Sequence, residues 1–286
     1  MKYLILLMLG INSYLAFSMK TTFDGMDINC GAIKKVDAHY CIYSTHGSKN
    51  PDVIYHLHGL GLNETSWLTI PLYKAVRATW QFYRYQAPRV VSISFGKSWL
   101  VSPKGESPKS GLYEVIMDEV FPFVDRLLPG PMGKKSLIGM SMGGFNGTQI
   151  YIRNPYLFEK VALLCPAMAT ISPYSSKEEF NDYIIRTGAS ADKVIMAAEL
   201  TREYFTEQDW ERNSPLKVAS RTMTRGWGQL YIFAGKRDSF GFYEGDRALF
   251  NEGLFFGVPT TWSENEFGHC FFPPVELALF MAKKSL

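Results

Sequence analysis

The stretch Lys134–Gly147, reading Lys-Lys-Ser-Leu-Ile-Gly-Met-Ser-Met-Gly-Gly-Phe-Asn-Gly, constrains this chain more than any other. An apolar run, Ser136-Leu137-Ile138, enters Gly139-Met140-Ser141-Met142-Gly143, and the residues from Gly147 to Arg153 have the pattern of a helix. A strand that turns directly into a helix leaves no room for side chains two positions before and after the turn, so glycine at 139 and 143 reads as a steric requirement. Such a turn holds Ser141 exposed at the strand end. The N–H groups and dipole of the following helix favour developing negative charge there. The pentapeptide also arises by chance in a chain with 24 glycines, and it is the flanking strand and helix that give it weight.

The rest of the chain alternates in a way that suits such a turn. Val53–Leu57, Arg89–Phe95, Val161–Pro166, Gln229–Ala234 and the short Thr260–Ser263 read as strands. Leu68–Trp80, Leu112–Leu128 (kinked by Pro122), Tyr243–Phe255 and Pro274–Lys283 read as helices between or after them. Thr21–Thr45 alternates best in Ala38-His39-Tyr40-Cys41-Ile42-Tyr43 and reads as one or two edge strands, whereas Lys97–Ser110, with Pro103, Gly105 and Pro108, reads as a loop. Strands alternating with helices predict an α/β fold, a mostly parallel sheet covered by helices on both faces. The segment 169–220 breaks the alternation with about fifty residues of polar helical pattern, Lys177–Arg186 and Ser190–Glu207, between two strands. Two readings stand for it: a helical cap over the strand ends, where ligands bind in this architecture, or a decorated surface connection.

Residues 1–18 form a unit of their own: Lys2, an apolar run from Tyr3 to Ile11, and an Ala16-Phe17-Ser18 ending. That is the form of a secretory signal peptide, too short to span a bilayer comfortably, and cleavage is expected after Ser18. A catalytic domain of residues 19–286 would then be secreted or periplasmic, with no lipoprotein anchor because no cysteine follows the cleavage point. The formal charge of +3 falls to +2 without Lys2, and Lys and Arg are not clustered, so composition offers nothing for a nucleic-acid role. The four cysteines are Cys30, Cys41, Cys165 and Cys270. The spacing of Cys30 and Cys41 permits a bridge across the arms of a hairpin without requiring it. No C-x-x-C or H-E-x-x-H pattern occurs, so neither a metal nor an organic cofactor is expected.

A serine hydroxyl is a poor nucleophile until a base takes its proton and a carboxylate orients that base. In this architecture the partners follow in the order Ser, Asp/Glu, His. His269, in Glu266-Phe267-Gly268-His269-Cys270, is the one histidine after Ser141. Asp238 closes a strand-Gly-x-x-Asp pattern and is the preferred acid. Glu244 and Asp246 fall in a predicted helix, and Glu264 precedes His269 by only five positions. His39, His46, His56 and His58 lie upstream and read as strand or turn residues, with His58 placed to shape the loop after Val53–Leu57. An oxyanion formed at Ser141 needs two N–H donors: Met142 supplies one, and the loop His58-Gly59-Leu60-Gly61 the other, Leu60 before Gly61.

His-Leu-His-Gly-Leu-Gly, Gly-Met-Ser-Met-Gly-Gly, Ala-Gly-Lys-Arg-Asp and Phe-Gly-His-Cys, in this order over residues 56–270, resemble the putative-esterase family of α/β hydrolases. That family includes esterase D-like enzymes, feruloyl esterases and mycolyltransferases of the antigen 85 type. The resemblance implies an α/β-hydrolase fold, Leu60 and Met142 as oxyanion donors, and Asn213-Ser214-Pro215-Leu216 as part of the scaffold. The N-terminal part with Cys30 and Cys41 has no match in that pattern. The expected activity is a serine carboxylesterase acting on small soluble esters through an acyl-enzyme. The alternatives are an acyltransferase with the same triad and a silent binding protein of the same fold. A glutathione thioesterase role conflicts with export. Lys177, Glu178, Glu179, Asn181 and Asp182 crowd the first helix of the candidate cap and argue against a lipid-interface lid, so short acyl chains are expected to be preferred.

Overall fold

The computed structural model describes residues 18–23 and 25–282. The expected leader therefore lies almost wholly outside the described residues. The strands are β1 (Ser18–Phe23), β2 (Met26–Ile33), β3 (Ala38–Thr45), β4 (Val53–Leu57), β5 (Arg89–Ser94), β6 (Lys135–Met140), β7 (Lys160–Leu164), β8 (Gln229–Gly235) and β9 (Thr260–Asn265). They make one nine-stranded sheet in the order β1-β2-β3-β5-β4-β6-β7-β8-β9. From β5 across to β9 every neighbouring pair is parallel, while β1, β2 and β3 add an antiparallel edge. Parallel neighbours require crossovers, and the helices of those crossovers cover the faces.

Burial on both faces is why these strands read as continuous apolar runs. Val53, Tyr55 and Leu57 of β4, Leu137 of β6 and Val161 and Leu163 of β7 belong to one core. Ile54, Ile138, Ala162 and Leu164, at the alternate positions, belong to the other. This is the two-residue period of a strand, expressed as two cores. The second core is closed by Tyr73, Val76 and Trp80 of helix α1 (Pro71–Phe82) and by Leu277, Ala278 and Met281 at the chain's end. The Trp80 indole N–H donates to the Ala278 carbonyl at 2.9 Å and ties those two helices together.

On the other face, Leu112–Glu114 and a π-helical stretch, Val115–Val120, lead into α2 (Phe121–Leu127). The kink expected at Pro122 takes this form: proline has no N–H for the preceding turn and its ring crowds the carbonyl there, so the helix widens upstream. Helix α3 (Met142–Arg153) begins directly after Ser141, five residues earlier than its sequence suggests, because glycine-rich Met142–Gly147 has low helix propensity in isolation. Residues 177–222 fold as α4 (Lys177–Thr187), α5 (Ala191–Tyr204), α6 (Glu207–Asn213) and α7 (Pro215–Thr222). Capping boxes start α4 at Ser176/Glu179 and α6 at Thr206/Asp209. Helices α8 (Tyr243–Phe255) and α9 (Pro274–Ala282) complete the chain.

The N-terminal region has three strands where one or two were expected. Two are joined by the bridge that the cysteine spacing permits: Cys30 and Cys41 sit directly opposite each other in the β2–β3 ladder and form a disulfide. Cys165 and Cys270 form a second one, which the sequence did not indicate.

Candidate active site

Ser141 occupies φ 56°, ψ −116° between β6 and α3, a region non-glycine residues rarely adopt. Collisions hold it there. A Cβ on Gly143 would run into the carbonyl oxygens of Leu57 and His58, and one on Gly139 into the carbonyl of Gly143. Glycine at these two positions therefore lets β4, β6 and α3 converge behind the serine. Its backbone is pinned as well: the Ser141 N–H donates to the Leu164 carbonyl at 2.9 Å, and the Ser141 carbonyl accepts from Phe145 and Ala167, each at 3.0 Å. The N–H groups of the first turn of α3 have no carbonyl one turn back within the helix to bond.

The ends of β8 and β9 bring in the other two sequence-predicted residues. Asp238 follows β8 and is 3% exposed. Its Oδ1 accepts from the Phe240 N–H at 2.7 Å, and its Oδ2 lies 2.6 Å from His269 Nδ1. His269 Nε2 lies 2.7 Å from Ser141 Oγ. An ionised carboxylate only accepts, so Nδ1 carries the ring proton and Nε2 is left to accept from the serine hydroxyl. Phe240 and Phe242, stacked on each other, pack against the imidazole with centroids 4.7 and 5.9 Å away. Sequence reasoning missed both; their placement two and four residues after Asp238 is the signal that was available.

Two of the three competing carboxylates are engaged elsewhere, and the third is buried without a partner. Glu244 holds Arg186 of α4 at 2.8 and 3.0 Å. Glu264 accepts from Tyr243 and Trp262 and pairs with Lys236, contacts that hold its carboxyl down at about 2. Asp246, fully buried on α8, has no hydrogen-bond partner on either oxygen. Burial, with the nearby Asp238 charge, pushes its carboxyl well above the usual carboxylate range.

The loop after β4 lies against the turn that carries Ser141. A Cβ on Gly59 would sit 3.4 Å from Ser141 Cβ. Of the two candidate donors on this loop, Gly61 gives its N–H to the Lys97 carbonyl at 2.9 Å, and Leu60 lines the pocket in front of Ser141 together with Met142. His58 explains the loop's shape. The Trp99 indole N–H donates to its Nε2 at 3.2 Å, so the proton is on Nδ1, which donates to the Gly59 carbonyl at 2.8 Å. Burial lowers the His58 pKa and keeps the ring neutral. In a trans peptide the C=O and N–H point opposite ways, so fixing the Gly59 carbonyl fixes the direction of the Leu60 N–H. The remaining histidines are placed as strand or turn residues. His39 is exposed on β3, His46 faces Asp27, and buried His56 bonds Ser92, its pKa lowered to about 3 by burial and by neighbouring His58.

In front of Ser141 lies a pocket with mostly apolar lining. Met142, Phe145 and Leu100 line it from the sheet side; Ile171, Phe180, Tyr183, Val194 and Trp210 line it from residues 169–222. No charged side chain is among its lining residues. Residues 169–210 thus supply one wall of the pocket, half-exposed Met196 among them, while Ile185 and Ile195 are exposed among the charges of α4 and α5. Among the described residues, the metal-type donors that gather closely are Cys165, His269 and Cys270, and the two sulfurs are joined to each other.

Residues 37–244 match the model of the family described as Putative esterase. No curated protein matches the chain by sequence. Among solved structures the chain is similar to a ferulic acid esterase, at 14% identity over 90% of this chain and 92% of that one, with a TM-score of 0.59. It is also similar to an S-formylglutathione hydrolase from Agrobacterium tumefaciens, at 16% identity over 92% and 95%, with a TM-score of 0.62. An arylesterase matches at 15% identity over 93% and 83%, with a TM-score of 0.59. At such identities the likeness carries the fold and not the substrate.

Proposed function

This chain belongs to the putative esterase family and is a carboxylesterase-type hydrolase; from that premise we propose a mechanism in which Ser141, His269 and Asp238 act as a triad. The observation that carries it is the unbroken relay Ser141 Oγ, His269 Nε2, His269 Nδ1, Asp238 Oδ2, with spacings of 2.7 and 2.6 Å at its two hydrogen bonds.

Ser141 Oγ attacks the ester carbonyl while His269 Nε2 takes its proton, and Asp238 holds the imidazolium so formed. The tetrahedral oxyanion accepts from the N–H groups of Leu60 and Met142, aimed by the His58–Gly59 contact and by the start of α3. Collapse expels the alcohol, which receives the proton from Nε2, and the acyl group remains on Ser141. Water then attacks the acyl-enzyme with His269 again as base, releasing the acid and restoring the serine. No metal or organic cofactor enters these steps.

The substrates in this reading are small, soluble carboxylic esters. An acyl group in the pocket meets apolar walls and no charge that would pair with an acidic one, and residues 169–220 act as a cap that limits its length. The domain is residues 19–286, working outside the cytosol after loss of a leader at Ser18; two disulfides, Cys30–Cys41 and Cys165–Cys270, suit an oxidising compartment. Fluorophosphonate labelling of wild type and Ser141→Ala, followed by peptide mass spectrometry, tests the core of this. The label is expected on Ser141, and labelling of the Ser141→Ala protein at another residue would overturn the assignment. Hydrolysis of p-nitrophenyl esters from acetate to palmitate tests the substrate class, with palmitate preference as the contrary result.

A further inference from the structure

We propose that the Cys165–Cys270 disulfide is a positioning device for the base: it fastens the His269 loop to the strand end that also anchors the nucleophile turn, and turnover depends on its being oxidised. This rests on His269 acting as the base.

The loop between β9 and α9 is tied down by Phe272, buried in the second core, and His269 by Asp238 and the rings of Phe240 and Phe242, while its other large apolar residues add little. Phe267 and Phe271, on either side of His269, are 65% and 61% exposed, so apolar burial does not anchor them. The backbone bonds of the loop fall at those flanks: the Phe267 carbonyl accepts from the Arg237 N–H at 3.1 Å, and the Phe271 carbonyl from the Asn265 side chain at 2.7 Å. Cys270, next to His269, is in the left-handed region at φ 63°. Its partner is fixed far more firmly. Cys165 is fully buried at the end of β7 and donates its N–H to the Phe233 carbonyl at 2.6 Å. Two residues on, the Ala167 N–H donates to the Ser141 carbonyl. The bridge thus joins two segments 105 residues apart, one carrying the base and the other bonded to the nucleophile's own backbone. A hydrogen-bond relay of this kind loses rate steeply when a member moves by a fraction of an ångström to an ångström.

Reduction by a small dithiol is balanced as follows. The dithiol's thiolate attacks the half-buried Cys270 sulfur, since Cys165 is enclosed, and the S–S bond breaks with Cys165 leaving as thiolate. The second thiol of the reagent closes on the mixed disulfide and leaves as its cyclic disulfide. Two electrons and two protons end on Cys165 and Cys270. The second bridge provides an internal control, because Cys30 is likewise half-buried and Cys41 buried, but the pair only joins neighbouring strands away from Ser141.

The test compares wild type, Cys30→Ser/Cys41→Ser and Cys165→Ala/Cys270→Ala, each before and after dithiothreitol. EDTA is present throughout, because freed thiols within 4.8 Å of an imidazole nitrogen would capture stray divalent cations and mimic the effect. Rates are expressed per folded molecule, from near-UV circular dichroism of the same samples. Reduction of wild type, and the Cys165→Ala/Cys270→Ala change, are expected to lower kcat on the order of 10- to 100-fold with KM nearly unchanged. Reoxidation should restore wild type. The reduced Cys30→Ser/Cys41→Ser protein should lose rate as wild type does, and the Cys165→Ala/Cys270→Ala protein should show no further response to reductant. An unchanged kcat per folded molecule, with only a lower melting temperature, would overturn the proposal and leave the bridge a structural staple. His269→Ala separates this from the underlying reading: if that variant keeps activity, the base assignment fails, whereas an inactive His269→Ala beside a fully active Cys165→Ala/Cys270→Ala refutes the positioning role alone.

Discussion

The two sides of the pocket in front of Ser141 are built on different principles. On the sheet side, position is set by backbone: Gly139 and Gly143 are pressed against carbonyl groups, Ser141 is bonded through both its N–H and its C=O, and His58 fixes a peptide plane. On the cap side, the wall is made of side chains on α4 and α5, among them the small Ala197 and Ala198 beside the large Phe180 and Tyr183. Backbone contacts admit almost no substitution without moving the chain. Side-chain walls can be rebuilt one residue at a time while the fold stands. In the proposed reading the chemistry belongs to the rigid side, and the choice of acyl group to the adjustable one.

The largest effect should come from breaking the rigid side. Ser141→Ala is expected to lower kcat by roughly 10⁶-fold, as nucleophile loss does in comparable triads, with the circular dichroism spectrum unchanged. Asp238→Asn should follow at about 10⁴-fold, because the amide no longer holds the imidazole in its working tautomer. Asp246→Asn is the companion measurement: if it costs more rate than Asp238→Asn, the wrong carboxylate has been assigned.

A change to the adjustable side should sharpen the contrast instead of abolishing activity. Ala198→Phe fills the pocket from α5. It is expected to reduce kcat/KM for hexanoate relative to acetate on the order of 10- to 100-fold, each misfitting methylene being worth about 1–3 kcal/mol. Fluorophosphonate labelling of Ser141 should persist in that variant. Equal losses on both esters would mean that the cap does not set chain length.

The smallest effect concerns stability. The folded-state pKa of Asp246 is raised by burial and by Asp238, so its contribution to stability is fully present below the unfolded carboxyl pKa and is lost as pH rises toward the folded value. Asp246→Asn removes a group whose ionised form is penalised by burial and by the Asp238 charge. The melting temperature should rise by a few degrees at pH 7, with the gain shrinking toward pH 4. A gain that grows toward pH 4 would contradict the sign.

Much of this site was legible in sequence because its constraints are local. Ser141 announces itself through glycines two residues away, Asp238 through the end of an apolar strand, and His269 by being the one histidine after the serine. The partnership of His58 with Trp99 spans two loops, and no local pattern records it. The extra edge strand β1 was hidden for a different reason: half-exposed edge strands carry weak alternation. Residues 142–146 looked unhelical because three glycines lie in 143–147, although packing of that helix against β4, β6 and β7 is what requires them.

What the sequence determined alone was the order of strands and helices, the mostly parallel α/β class and the residue types of the candidate triad. These follow from periodicity and from steric rules that act within a few residues. Tertiary structure decided that the Gly61 N–H is taken by the Lys97 carbonyl, that residues 169–210 wall the pocket, and that Cys270 bridges to Cys165. Each of those depends on contacts between segments far apart in the chain, and the 105 residues separating Cys165 from Cys270 leave no pattern that a local reading can detect.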